Sequence, residues 1–141
     1  MEVRGLATAA AMALALGLAA CSGQSSSTPA AAAAASGADK GVNVYSQNCL
    51  PCHRDDGTGV AGVYPRLAQS PVVNGDPVEL AQWVLSGKRP ASMPSGRYPT
   101  QMLQFGWMKD QDAAAVLSYI RSHFGNSAPP VDAAAVAAAR P

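Results

Sequence analysis

Cys49-Leu50-Pro51-Cys52-His53 carries more of this chain's chemistry than any other stretch. Two thiols three positions apart can close thioether bonds onto the two vinyl groups of a haem, and the histidine that follows is then held beneath the iron as its fifth ligand. Other uses of a Cys-x-x-Cys pair need partners. A closed zinc site takes four protein ligands, and outside the run the only further histidine and cysteine are His123 and Cys21. A thioredoxin-like redox pair is expected beside a βαβ pattern, and no alternating strand pattern flanks the run. Covalent haem attachment is the expected chemistry.

Outward from the run, residues 39–125 have helical periodicity punctuated by Gly and Pro, with no convincing strands, so the expected fold class is all-α. Asp39 can cap a helix running through Tyr45 into the motif, with Gly41, Tyr45 and Cys49 at four-residue spacing on one face. A second helix is signalled by Asp76 as N-cap, Pro77 in the first turn and Glu79 three residues after the cap. Leu80, Ala81, Val84 and Leu85 follow, and Gly87 closes it. A third starts near Asp110, carries Ala113, Val116, Leu117, Ile120 and Phe124 on one stripe, and ends at Gly125. Tyr45, Val116 and Tyr119 are expected to pack first helix against last.

The three cysteines do not pair off as a disulfide framework, and Cys21 has its own context. It follows Arg4 and an apolar, alanine-rich run from Leu6 to Ala20, too short to span a bilayer and typical of a signal peptide. Leu18-Ala19-Ala20-Cys21 resembles the lipobox of bacterial lipoproteins, in which the cysteine is acylated and becomes the first residue. The alternative is an ordinary cleavage site with a spectator cysteine. Several acyl chains would anchor the protein stably, at about 0.8 kcal/mol per buried methylene. Ser22 resembles the signal for outer-membrane sorting, so the expected location is periplasmic and lipid-anchored. Cleavage after residue 20 of 141 leaves 121 residues, enough for one small domain. Residues 21–38 are expected to be a lipidated flexible linker; Ser22 to Ala38 would reach about 55 to 60 Å if stretched, at ~3.3–3.6 Å per residue. Residues 39–126 then form the domain and 127–141 a C-terminal tail. In the tail, Pro129-Pro130 precede Asp132, which caps an alanine-rich turn expected to lie on the surface or fray.

Together these features resemble the class I c-type cytochromes: an N-terminal helix running into CxxCH, a Pro-x-Leu loop at Pro65-Arg66-Leu67, and a C-terminal helix crossing the first. Gly41 and Tyr45 match the family's small and aromatic positions where the terminal helices touch. The resemblance implies a small cytochrome c fold, three main helices and loops wrapped around one covalently attached haem c. It also implies that the Pro65 carbonyl accepts a hydrogen bond from His53, orienting the ring and raising its basicity. A methionine is the expected sixth ligand. Met102 lies in Met102-Leu103-Gln104-Phe105-Gly106, like the family's pattern of a methionine, two residues, then Phe-Gly shortly before the last helix, although Leu103 replaces the usual proline. Met93, followed by Pro94, is the alternative, and Met108 is expected to be a packing residue.

With His53 and Met102 on the iron, the expected role is outer-sphere transfer of one electron at a time, an electron carrier and not an enzyme. With the sixth position open or displaceable, the chain would instead be a haem-based small-ligand binding or peroxidatic protein. Tyr98, Phe105 and Trp107 are candidates to wall the crevice, Trp107 equally a core residue. Residues 76–87 and 105–126 are similar to the haem domains of cytochrome subunits of membrane-bound alcohol and aldehyde dehydrogenases. That similarity implies redox partners such as a periplasmic dehydrogenase or a terminal oxidase. Between Asp39 and Asn126 eight Lys or Arg meet seven Asp or Glu, so strong whole-molecule steering is not expected. Lys88, Arg89 and Arg97 cluster as a local basic patch or a solvated loop, one of them a candidate to neutralise a haem propionate. There is no basic stripe with interleaved aromatics, no phosphate loop and no paired carboxylate site, which excludes nucleic-acid binding and hydrolysis as supported roles.

Overall fold

The computed structural model describes residues 29–89, 91–92 and 98–141. Among them the chain forms six helices: α1 (Pro29–Asn48), α2 (Leu50–His53), α3 (Pro71–Asn74), α4 (Pro77–Ser86), α5 (Asp110–Ser122) and α6 (Ala133–Ala138). The extended pairing within these residues is an isolated antiparallel bridge between Val60 and Tyr64. The expected all-α class is what folds.

Local signals translate most directly in α4. The Asp76 carboxylate accepts the backbone N–H groups of Val78 and Glu79 at 2.7 and 3.0 Å, Pro77 occupies the first turn, and Gly87 at φ 71° returns its N–H to the Trp83 carbonyl. These bonds satisfy orphan groups at both ends, leaving Leu80, Ala81, Trp83, Val84 and Leu85 to be buried. In α5, Asp110 and Asp112 lie in the first turn and Arg121 in the last, charges that oppose the helix dipole. That helix stops at Ser122, three residues short of the expected Gly125, because His123 turns extended and Phe124 and Gly125 both take positive φ.

The first helix departs from expectation at its start. It opens on Pro29, ten residues ahead of Asp39, so the latter part of the stretch expected to be flexible linker is helical. Proline at the first helical position and the Ala30–Ala35 run are favourable there, and a helix already docked through its other half needs no new nucleus to lengthen. Residues 1–28, with Cys21 and Ser22, lie outside the described residues.

α1 packs on α5, as the terminal-helix pattern predicts. A Cβ on Gly41 would stand 2.5 Å from the Ala115 carbonyl oxygen and 2.8 Å from the Tyr119 Cβ, so the helices approach at a distance that only glycine allows. Beside it Lys40 pairs with Asp112 at 2.7 Å. Further along, the Tyr45 ring meets Tyr119 and Phe124 with centroids 5.4 and 5.2 Å away.

The tail does not fray. α6 packs on both α4 and α5, and Val131, Val136 and Ala139 are buried in the same core as Leu80 and Leu117. Asp132 caps α6 as expected, accepting the Ala135 N–H at 2.7 Å. The Ser118 hydroxyl exchanges hydrogen bonds with the Val131 N–H and carbonyl, at 2.9 and 3.0 Å. Two valines five apart among alanines have little periodicity of their own. They become core only because α4 and α5 leave a groove that they fill.

Candidate haem site

The CxxCH run folds as a single turn that nearly continues α1: the Cys49 N–H donates to the Tyr45 carbonyl at 2.8 Å and the His53 N–H to the Cys49 carbonyl at 2.9 Å. Pro51 sits in the first turn of α2, where no N–H is needed. The Tyr45 hydroxyl donates to the Arg54 carbonyl at 2.5 Å, fixing the end of the turn to α1. Cys49 and Cys52 are half-buried and His53 is buried.

Across the turn, His53 Nδ1–H donates to the Pro65 carbonyl at 2.9 Å, the bond the Pro-x-Leu loop implied. Its consequence is a defined tautomer, with Nε2 left as the lone-pair nitrogen. Burial lowers the His53 pKa, and the Pro65 carbonyl acts in the opposite direction. A neutral imidazole is the form a metal ligand requires.

The loop that supplies Pro65 is held by residues the sequence patterns did not single out. Gly59, at φ 68°, donates its N–H to the His53 carbonyl at 3.1 Å, and a Cβ there would lie 2.7 Å from the Pro65 oxygen. Only glycine leaves room for that carbonyl. The Leu67 and Ala68 N–H groups both reach the Gly57 carbonyl, at 2.7 and 3.0 Å. Buried Asn126 then ties the loop to α5. Its amide donates to Leu67 and Ile120 carbonyls at 3.0 and 2.8 Å, and its oxygen accepts from Ser70 N–H and the Asn74 amide at 3.1 and 2.8 Å. The closely spaced Gly57 and Gly59 just after the motif were the available signal for a tight turn; Asn126 gave none, because the partners it ties together, Leu67, Ser70 and Asn74, are more than fifty residues away.

These elements enclose a cavity of about 530 Å³, within the roughly 300–1,000 Å³ of cofactor sites. Cys49, Cys52, His53, Tyr64 and Pro65 line it, as do Tyr98, Met102, Leu103, Phe105, Trp83 and Arg89. A second, almost wholly apolar cavity of about 40 Å³ shares Cys49, His53, Pro65, Trp83 and Met102, and is floored by Leu80, Val84, Val116, Leu117 and Ile120. Met102 thus faces the same space as the imidazole.

The other candidates separate cleanly. Met108 is a buried core residue, as expected. Met93, Pro94 and Arg97 lie outside the described residues. Tyr98 and Phe105 wall the crevice, whereas Trp107 is 70 % exposed and is neither wall nor core. The loop turns at Gly106, aiming Trp107 away while its ring stays 6.2 Å from that of Phe105. His123 sits at the far end of α5, its ring 4.0 Å from Tyr119 and Nδ1–H donating to the Tyr119 carbonyl at 2.8 Å. Lys88 is exposed, and the Arg89 guanidinium donates to the Tyr98 carbonyl at 3.4 Å on the cavity wall.

Neither alternative use of the cysteines finds support in the geometry. Among the described residues no three His, Cys, Asp or Glu side chains converge as a metal site. Burial, followed by the neighbouring Cys52, pushes the Cys49 thiol up to about 11, opposite to the depressed pKa of a reactive redox thiol.

Two thiols and a carbonyl-oriented imidazole, presented on one turn to an aromatic-walled cavity inside an all-α shell, define a protein that carries covalently bound haem. The sequence profile described as Cytochrome c matches residues 38–124, and the chain belongs to that family. It is 39 % identical over 93 residues to the cytochrome c subunit of a quinone alcohol dehydrogenase from Gluconobacter oxydans, covering 63 % of this chain and 19 % of that protein. It is 34 % identical over 91 residues to the gluconate 2-dehydrogenase cytochrome c subunit of Pantoea cypripedii, covering 62 % and 21 %. Cytochrome c-552 of Thermus thermophilus is 30 % identical over 92 residues, covering 62 % of this chain and 70 % of that one. The chain therefore spans about a fifth of the length of the dehydrogenase subunits it matches.

The cofactor is covalently attached haem c, with Cys49 and Cys52 in the CxxCH position, and the protein is an electron-transfer haem protein. The residues present fit it: both thiols and the neutral imidazole meet in one cavity, whose remaining walls are largely aromatic and aliphatic.

Proposed function

We propose that the chain is a six-coordinate, single-haem electron carrier, with His53 and Met102 as the axial ligands, serving a dehydrogenase and passing electrons to a respiratory acceptor. The observation that carries this is the shared cavity: His53 and Met102 both line the space that Cys49 and Cys52 face. When bound, haem c supplies reversible one-electron chemistry, tuned by axial ligands and burial. The chain's own residues hold that chemistry still. Pro65 orients the imidazole, the tethering thiols prevent loss, and Trp83, Tyr98 and Phe105 exclude water from the cavity. Arg89 brings a cation to the wall, where it suits a propionate.

Support for a dehydrogenase partner comes from two relatives, both cytochrome c subunits of dehydrogenases. Export and tethering rest on the Leu6–Cys21 pattern, with acylated Cys21 as the anchor and Ser22 favouring the outer membrane. Among the described residues no helix is long and apolar enough to cross a membrane. Growth with radioactive fatty acid should label the wild-type protein and leave Cys21→Ser unlabelled; equal label on both would remove Cys21 as the anchor.

The carrier role is tested on the haem-loaded protein by spectroscopy and potentiometry. The ferric spectrum should show the weak red charge-transfer band of methionine ligation, with a one-electron Nernst slope. High-spin ferric features and ready uptake of small ligands would instead make this a ligand-binding or peroxidatic protein.

A further inference from the structure

The segment between Met102 and α5 is fastened from the other end of the chain. Arg140 Nε donates to Asp110 Oδ1 at 2.7 Å, Nη1 to the Gly106 carbonyl at 2.8 Å and Nη2 to the Met108 carbonyl at 2.5 Å. One guanidinium therefore spans Gly106 to Asp110. Its planar fork, with donors in fixed directions, suits three acceptors at once.

Arg140 is itself held. It follows Ala139, whose N–H bonds back to the Ala135 and Val136 carbonyls, and both Val136 and Ala139 are buried against the core. On the loop side, the Phe105 N–H donates to the Val84 carbonyl at 3.0 Å and the Met108 side chain is buried. Met102 lies three residues ahead of Phe105 and packs against the core only in part, while the adjacent Leu103 is 71 % exposed, so core burial holds the loop less firmly there than at Phe105. Residues 125–141 lie beyond the part of the chain that the family profile matches.

We propose that Arg140 is a positioning residue for Met102: by clamping Gly106 to Asp110 it keeps the ligand loop closed and the sulfur within reach of the iron. This rests on Met102 being the axial sulfur. When only an open-loop fraction can accept an added ligand, the apparent affinity for that ligand scales with the fraction. Arg140 therefore suppresses binding of outside ligands at the sixth position.

Imidazole binding to the full-length, haem-loaded ferric protein measures that fraction. Arg140→Ala should tighten apparent imidazole binding about tenfold, the scale expected for losing a charge-assisted multidentate contact, with Arg140→Lys in between. Asp76→Ala serves as control, because it removes the α4 cap without touching the loop; its imidazole affinity should stay at the wild-type value. Wild-type affinity in Arg140→Ala overturns the proposal, and so does an equal gain in Asp76→Ala, which would assign the effect to general stability. Should Arg140→Ala fail to accumulate, Asp110→Asn removes the ionic contact alone and should tighten binding about threefold; no change there overturns the proposal too. Met102→Ala separates the two readings. If that variant keeps the red band, the assignment of Met102 itself fails; if it loses the band while Arg140→Ala behaves as wild type, only the clamp fails.

Discussion

Replacing both Cys49 and Cys52 by alanine should yield a chain with no covalent haem and most of its helical structure lost. The cavity of about 530 Å³ lies inside a domain of roughly ninety residues, and its walls are the inner faces of α2, α4 and the loops around Pro65 and Met102. Small domains bury a modest share of their surface, so an interior this incomplete leaves little net stability. A group that binds only the folded state stabilises it, and thioether attachment makes that binding effectively permanent. The check is haem staining after a denaturing gel together with far-ultraviolet circular dichroism. No stained band and a large fall in helical signal are expected. A double variant that kept its helices without haem would show that α1, α5 and α6 suffice as a core. A stained band would show that attachment does not use these thiols.

Met102→Ala should abolish the red charge-transfer band and lower the reduction potential. The thioether favours ferrous iron, and axial ligands as a class move haem potentials over about 0.8 V, so a fall on the order of a few tenths of a volt is expected. The covalent tether and the His53–Pro65 bond are untouched by the change, so the variant should still fold and stain. Direct electrochemistry and the ferric spectrum give the answer together. Survival of the band in Met102→Ala with its loss in Met93→Ala would move the assignment to Met93.

How far the residues alone reached is clearest in α4 and the motif turn. Asp76, Pro77 and Gly87 act on backbone groups within a few residues of themselves, so their effect is local and readable. The same holds for CxxCH, where two thiols and an imidazole are brought together by a single turn. The limits of α1 and the fate of residues 127–141 were not readable in that way. Alanine-rich stretches carry helix propensity but no face, and whether they dock depends on grooves built by other elements. Trp107 makes the same point in reverse. Its apolar ring predicts burial, yet the turn at Gly106 that follows Phe105 leaves it in solvent.

Signals confined to short spacing were readable in the sequence: the haem motif, the helical periodicity behind the all-α class and the α4 caps, while Pro65 and Met102 came forward only through the family resemblance, Met102 with Met93 as its alternative. The tertiary structure decided what depends on distant partners meeting. It put the Pro65 carbonyl 2.9 Å from His53, with Gly59 making room, and Met102 on the wall of the same cavity. It also folded residues 127–141 back so that Arg140 grips the loop between Met102 and α5. A hydrogen bond across thirty residues leaves no periodic trace in the chain, because its geometry exists only once the core between its ends has packed.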